Sequence, residues 1–99
     1  MADVTKVSDI TVDDLIDYLH EYNDMSTRSR LTTLLSAAKS YIQSETGLTP
    51  EKIDSHADFV VAVYLLVQDW NDNRTMYVDK GTVSPTVDTI LFMYSENLI

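Results

Sequence analysis

The sequence predicts an all-α fold, a small four-helix domain packed around one buried central helix. Three observations carry that expectation. Residues 59–70 read FVVAVYLLVQDW, and the first nine of them hold no charge. No Gly or Pro occurs from residue 51 to residue 80, so nothing ends this run at strand length. Elsewhere the apolar residues recur at i, i+3, i+4 and i+7, the spacing of helices with one buried face.

Ser55 and Asp58 have the spacing of a capping box, with Asp in place of the usual Glu or Gln. Trp70 falls on the helical face of Phe59, Val63 and Leu66. The predicted helix spans residues 55–74. Its first half is apolar all round, which places it inside the domain. It is too short to span a bilayer, which takes roughly 20 apolar residues, so no membrane partner is expected.

The other elements follow in order. Residues 1–10 read as an irregular arm. Thr11 is an N-cap with Asp14 three positions on, and Val12, Leu15, Ile16 and Leu19 form one apolar face. The first helix is expected over residues 12–22. Asp24 or Ser26 caps a second helix over residues 26–46, whose buried face is Leu31, Leu34, Leu35, Ala38, Tyr41 and Ile42. Ala37 and Ala38 allow a neighbouring helix to approach closely. Gly47 is placed to stop the helix with positive φ, and Leu48 to make the accompanying apolar contact. Residues 48–54 read as a link, with Pro50 fixing an extended or turn conformation. Asp79-Lys80-Gly81 resembles a three-residue hairpin loop, so residues 75–83 are either a short hairpin or a loop. Ser84-Pro85 opens the last helix, residues 85–96, with a cap followed by Pro at the first position. Its stripe is Val87, Ile90, Leu91 and Tyr94. Phe92, Met93, Leu98 and Ile99 fall off that stripe and suggest a second surface to cover. The expected core is Leu15, Leu19, Leu35, Ala38, Ile42, Phe59, Val63, Leu66, Trp70, Val87 and Leu91.

Composition narrows function by exclusion. The 99 residues are expected to form one domain. Sixteen acidic and seven basic side chains give a net charge of −9, which argues against simple adhesion to phosphate backbones. The charge is uneven. Residues 1–24 hold Asp3, Asp9, Asp13, Asp14, Asp17, Glu21 and Asp24 against Lys6, while residues 25–44 hold Arg28, Arg30 and Lys39 and no acid. This is either two solvated faces or an acidic face of one subunit meeting a basic face of the next. The opening MADVTKVSDI has no apolar stretch of signal-peptide type, so synthesis is expected in the cytoplasm.

Catalytic and metal patterns fail on inspection. There is no cysteine, and two glycines do not make a phosphate-cradling loop. Asp69, Asn71 and Asn73 begin a calcium-loop pattern, but Arg74 stands where Gly is needed and Lys80 where the bidentate Glu is needed. His20-Glu21 begins a zinc-protease motif, but Asp24 replaces its second His. Asp13 and Asp17 lie one turn apart, and a solvated acidic face explains them better than a shared cation. No enzyme activity and no cofactor are expected.

Four stretches together point elsewhere. They are TVDDLIDYL (residues 11–19), LLSAAKSYIQSETGL (34–48), VVAVYLLVQDWNDNR (60–74) and SPTVDTILFMYS (84–95). In this order they resemble the head–tail connector, or adaptor, family of tailed bacteriophages. The order of the stretches and the Trp-Asn-Asp-Asn-Arg finish carry most of the likeness. Two features differ. The link before the central helix is shorter than in many relatives, and Met25-Ser26-Thr27-Arg28 stands where an acidic cluster is common.

The resemblance implies a structural virion protein of the neck, made in the cytoplasm of a bacterial host. Such a protein forms a ring, a dodecamer in the virion, beneath the portal protein. It extends the channel for double-stranded DNA without sequence-specific binding and docks a stopper or tail-completion protein. Expected subunit or partner contacts are Asp13, Asp17, Glu21, Arg28, Arg30, Met76, Tyr77, Lys80, Leu98 and Ile99, with Arg28 and Arg30 pairing with Asp13, Asp17 or Glu21 across subunits. The alternatives are a small acidic inhibitor that mimics DNA and a generic helical interaction module.

Overall fold

The computed structural model of the chain describes residues 4–72 and 85–94. These form five α-helices and one 3-10 turn, with no strand among the described residues: α1 (Val12–Leu19), α2 (Met25–Thr46), α3 (Pro50–Asp54), α4 (Asp58–Asp72) and α5 (Pro85–Tyr94), preceded by the turn Val7–Asp9. The all-α expectation therefore stands.

Helix ends are set by local chemistry. Thr11 Oγ1 accepts from the Asp14 N–H at 3.1 Å, and the Asp14 carboxylate accepts from the Thr11 N–H at 2.9 Å, a reciprocal capping box. α1 ends in a Schellman arrangement: His20 donates to Asp17 O and Glu21 donates to Ile16 O. His20 takes the left-handed conformation there, at φ 57°. Asp24 caps α2 through the Thr27 N–H at 2.8 Å. Gly47, at φ 74°, stops α2 with a bond from its N–H to Gln43 O, and Leu48 is buried just beyond.

Four features differ from the sequence expectation. α1 ends at Leu19 and not at residue 22, because the chain turns left-handed at His20. The link over residues 48–54 contains a helix, α3, with Thr49 as N-cap and Pro50 in its first turn. Ser55 ends α3 and does not cap the central helix, which starts at Asp58. The arm is not wholly irregular either. Val7 and Ile10 are buried, and Ser8 donates its N–H and its hydroxyl to the Asp54 carboxylate at 3.0 and 2.7 Å. The arm is thus fastened to α3. The hairpin expected over residues 75–83 lies outside the described residues.

α4 is the axis of the packing. Phe59, Val60, Ala62, Val63, Tyr64, Leu66 and Val67 are all buried on it, against α2, α5 and α1. α2 contributes Leu31, Leu35, Ala38 and Ile42, α1 contributes Leu15, and α5 contributes Val87 and Leu91. Leu19 and Trp70, expected in the core, are only half-buried. Leu19 is the last residue of α1, and Trp70 stands near the end of α4 with its ring edge-on to Tyr41 at 5.9 Å. A large indole is seldom wholly enclosed.

The end of α5 returns to the start of α4. The Tyr94 hydroxyl donates to Asp58 Oδ2 at 2.7 Å, and its ring stacks on His56 at 4.1 Å and meets Phe59 at 5.2 Å. No helix among the described residues is long and apolar enough to cross a membrane.

Candidate functional site

The charged residues singled out from the sequence cluster where α1 ends, α2 begins and α4 finishes. Arg28 reaches Asp13 at 2.6 Å and Asn23 Oδ1 at 3.1 Å. Arg30 donates from Nε to Asn71 Oδ1 at 2.8 Å and from its terminal nitrogen to Glu21 at 3.4 Å. Asn71 Nδ2 in turn donates to the other Glu21 oxygen at 3.1 Å. Arg30, Asn71 and Glu21 therefore close a triangle across three elements of the chain.

The arginines find acidic partners within their own chain. The Arg28–Asp13 and Arg30–Glu21 pairs form within one chain, because the left-handed turn at His20 folds the end of α1 back over the first turns of α2. The two pairs differ in kind. Asp13 and Arg28 side chains are 72% and 43% exposed, so water screens them, whereas those of Glu21 and Arg30 are 28% and 25% exposed. Asp17 sits exposed on α1. Met76, Tyr77, Lys80, Leu98 and Ile99 lie outside the described residues.

Asn71 was not singled out as a partner residue, yet it is only 2% exposed. Its signal lies in the spacing. Val60, Tyr64, Val67 and Asn71 share one face of α4, so a polar side chain arrives on a buried stripe and needs partners there.

Tyrosine environments complete the electrostatics. Burial raises the Tyr64 phenol above its ordinary value of 10.0, and the nearby carboxylates of Asp14 and Asp17 raise it further. Its ring lies 4.8 Å from that of Tyr18, whose hydroxyl donates to Gln68 at 2.9 Å. The Tyr64 hydroxyl itself is buried without a hydrogen-bond partner among the described residues. Tyr41 is raised chiefly by burial, then by Glu45 and Asp88. Tyr94 is raised chiefly by its hydrogen bond to Asp58. The bonds from Thr27 lower Asp24.

Two further features mark the surface. A cleft of about 270 Å³ lies between the 3-10 turn, α2 and α3, lined by Val7, Ser8, Lys39, Gln43, Pro50, Ile53 and Asp54. Exposed large apolar side chains stand at Tyr22, Met25, Val61, Phe92 and Met93. Among the described residues, no three His, Cys, Asp or Glu side chains stand close enough together to hold a metal ion.

Fold and surfaces together define a small all-α domain with an acidic first helix. Compared with known proteins, the chain matches no family model, no curated protein and no solved structure.

Proposed function

We propose that this chain is a structural subunit of head–tail connector type, built into a ring at the neck of a tailed bacteriophage. In that role it would sit under the portal protein, lengthen the DNA channel and seat a stopper or tail-completion protein. The observation that carries the reading is the ordered set of connector-like stretches. What supports it physically is that three of these stretches supply α2, α4 and α5, and that these helices pack directly on one another. An inventory of apolar side chains left outside, with Phe92 and Met93 on α5 and Val61 on α4, fits a subunit that buries more surface on assembly. A net charge of −9 suits a channel wall from which DNA is repelled and along which it slides.

The DNA-mimic alternative needs carboxylates displayed together on one surface. Several acids on and just beyond the first helix already have partners within the chain: Asp14 in the capping box, Asp13 with Arg28, and Glu21 with Arg30 and Asn71. This favours the structural reading.

Negative-stain imaging and analytical ultracentrifugation of the purified chain over a wide concentration range test it. Closed rings of a single chain support the connector. A lone particle at every concentration, captured one-to-one by a basic DNA-binding protein, overturns it in favour of the mimic.

A further inference from the structure

We propose that copies of this chain assemble by exchanging their N-terminal segment: residues 4–21 of one copy dock on α2, α3 and α4 of the next, in place of that copy's own. The inference deepens the ring reading above and rests on it for the premise that copies assemble.

The segment is a unit joined to the rest by a short link. Inside it the 3-10 turn and α1 are closed by local bonds, from the Ile10 N–H to Val7 O and through the capping box of Thr11 and Asp14. Its longer ties run past the link. Ser8 reaches Asp54, Tyr18 reaches Gln68, Asp13 reaches Arg28, and Glu21 reaches Arg30 and Asn71. Val7, Ile10 and Leu15 are buried, the turn against α3 and α4 and the helix against α2 and α4. None of these contacts depends on which copy supplies the segment. A seat shaped for one copy's segment fits the identical segment of another.

The link is Tyr22-Asn23-Asp24, and all three residues are exposed. The chain reverses there in a tight turn, with the Asp24 N–H donating to Tyr22 O at 3.1 Å. Straightened, the step from Glu21 to Met25 spans up to about 14 Å. That exceeds the roughly 8–10 Å between packed helices, so α1 can leave the side of its own α2 and reach an adjacent copy. A short link held in reversal favours exchange, because straightening releases the turn while the segment keeps its contacts.

The link is also flanked by apolar surface with nothing over it. Tyr22 is 86% exposed and Met25 is 90% exposed, more than any other large apolar side chain among the described residues. In a closed single chain both stand in water. In the exchanged assembly the link crosses from copy to copy, so both fall at the junction and gain cover. The Arg28–Asp13 and Arg30–Glu21 pairs then become bonds between subunits. Passed on from each copy to the next, the exchange joins two unlike patches and closes into a ring when the rotation allows.

The chain lacks cysteine, so an introduced pair can control the exchange. Ser8→Cys with Asp54→Cys in one chain, oxidised at low concentration, ties the segment to its own copy. Ser8 Oγ and Asp54 Oδ2 lie 2.7 Å apart, so the disulfide replaces an existing contact. By analytical ultracentrifugation the oxidised chain should associate at least about tenfold more weakly than the same chain reduced, with the circular dichroism of the fold unchanged. Chains carrying Ser8→Cys alone and Asp54→Cys alone, refolded together at high concentration, should form a disulfide between unlike chains. A Gly-Ser-Gly insertion after Tyr22 leaves the Ser8–Asp54 clasp intact, relaxes the link and should shift the chain toward the monomer. Association unchanged by the oxidation or by the insertion overturns the exchange and leaves the ring reading in place. Exchange-linked dimers that never grow into rings uphold the exchange and overturn the ring. A wild-type chain that stays single at every concentration overturns both.

Discussion

Arg30 of α2 holds Asn71 of α4 through a 2.8 Å bond from Nε to Oδ1, and Asn71 passes the connection on to Glu21. A polar side chain only 2% exposed is retained because its amide oxygen and its amide nitrogen both find partners elsewhere in the chain. Asn71→Ala removes the bridge and leaves Arg30 and Glu21 with less than their full complement of bonds. Urea unfolding should show a loss of about 2–3 kcal/mol. A double-mutant cycle with Arg30→Ala should be non-additive, since both changes break one network.

Tyr64 presents the opposite case, a buried hydroxyl without a partner among the described residues. Removing an unsatisfied oxygen while keeping the ring should not weaken the fold. Tyr64→Phe is expected to leave stability unchanged or raise it by about 1 kcal/mol in the same titration. A clear loss would mean that the hydroxyl has a partner after all.

His20 occupies a left-handed position, φ 57°, where a side chain crowds the following carbonyl. His20→Gly relieves that crowding, partly offset by the freedom Gly adds to the unfolded chain. Thermal melting should show a gain of about 0.5–1 kcal/mol.

Alkaline pH should unfold the protein through its tyrosines. Tyr41, Tyr64 and Tyr94 all titrate above their ordinary value of 10.0 in the fold. The folded phenols keep their protons to higher pH than the unfolded ones. Their contribution is therefore intact below pH 10 and is lost as pH rises through the folded values. Stability plotted against pH should bend downward above about pH 10, and Tyr94→Phe should make that bend shallower.

Arg28 and Asp13 make a short ion pair, but both side chains stand largely in water. Arg28→Ala should lower stability by less than about 1 kcal/mol, and 1 M salt should erase the difference. A larger loss would show that Arg28 packs against the chain with its stem as well as its charge.

The parts of the fold legible in the sequence were those with a strong local cause. Thr11 with Asp14, Gly47 with Leu48, and the period of Leu31, Leu35, Ala38 and Ile42 each declare a helix end or a buried face. Thr49-Pro50 carries the same cap-then-proline signal as Ser84-Pro85, yet it opens a helix of five residues, shorter than periodicity can reveal. The arm escaped because its anchor, Asp54, lies 46 residues from Ser8. The charge network was half legible. The acids and bases stand out in the sequence, but their pairing within one chain depends on the reversal at His20. Asn71 was hidden behind the calcium-like run of Asp69, Asn71 and Asn73, while its place on the stripe of Val60, Tyr64 and Val67 was the better guide.

The clasp between Ser8 and Asp54 also bears on the order of folding. Residues 4–10 come before all five helices in the chain, but nothing local holds them, since a 3-10 turn of three residues has no stability of its own. Their anchor exists only after α3 has formed and docked beside α2. Closing so long a loop comes late in folding, when its entropy is already spent on the helices between. The Ser8 amide should therefore be among the first to open in native-state hydrogen exchange, ahead of the amides inside α2 and α4.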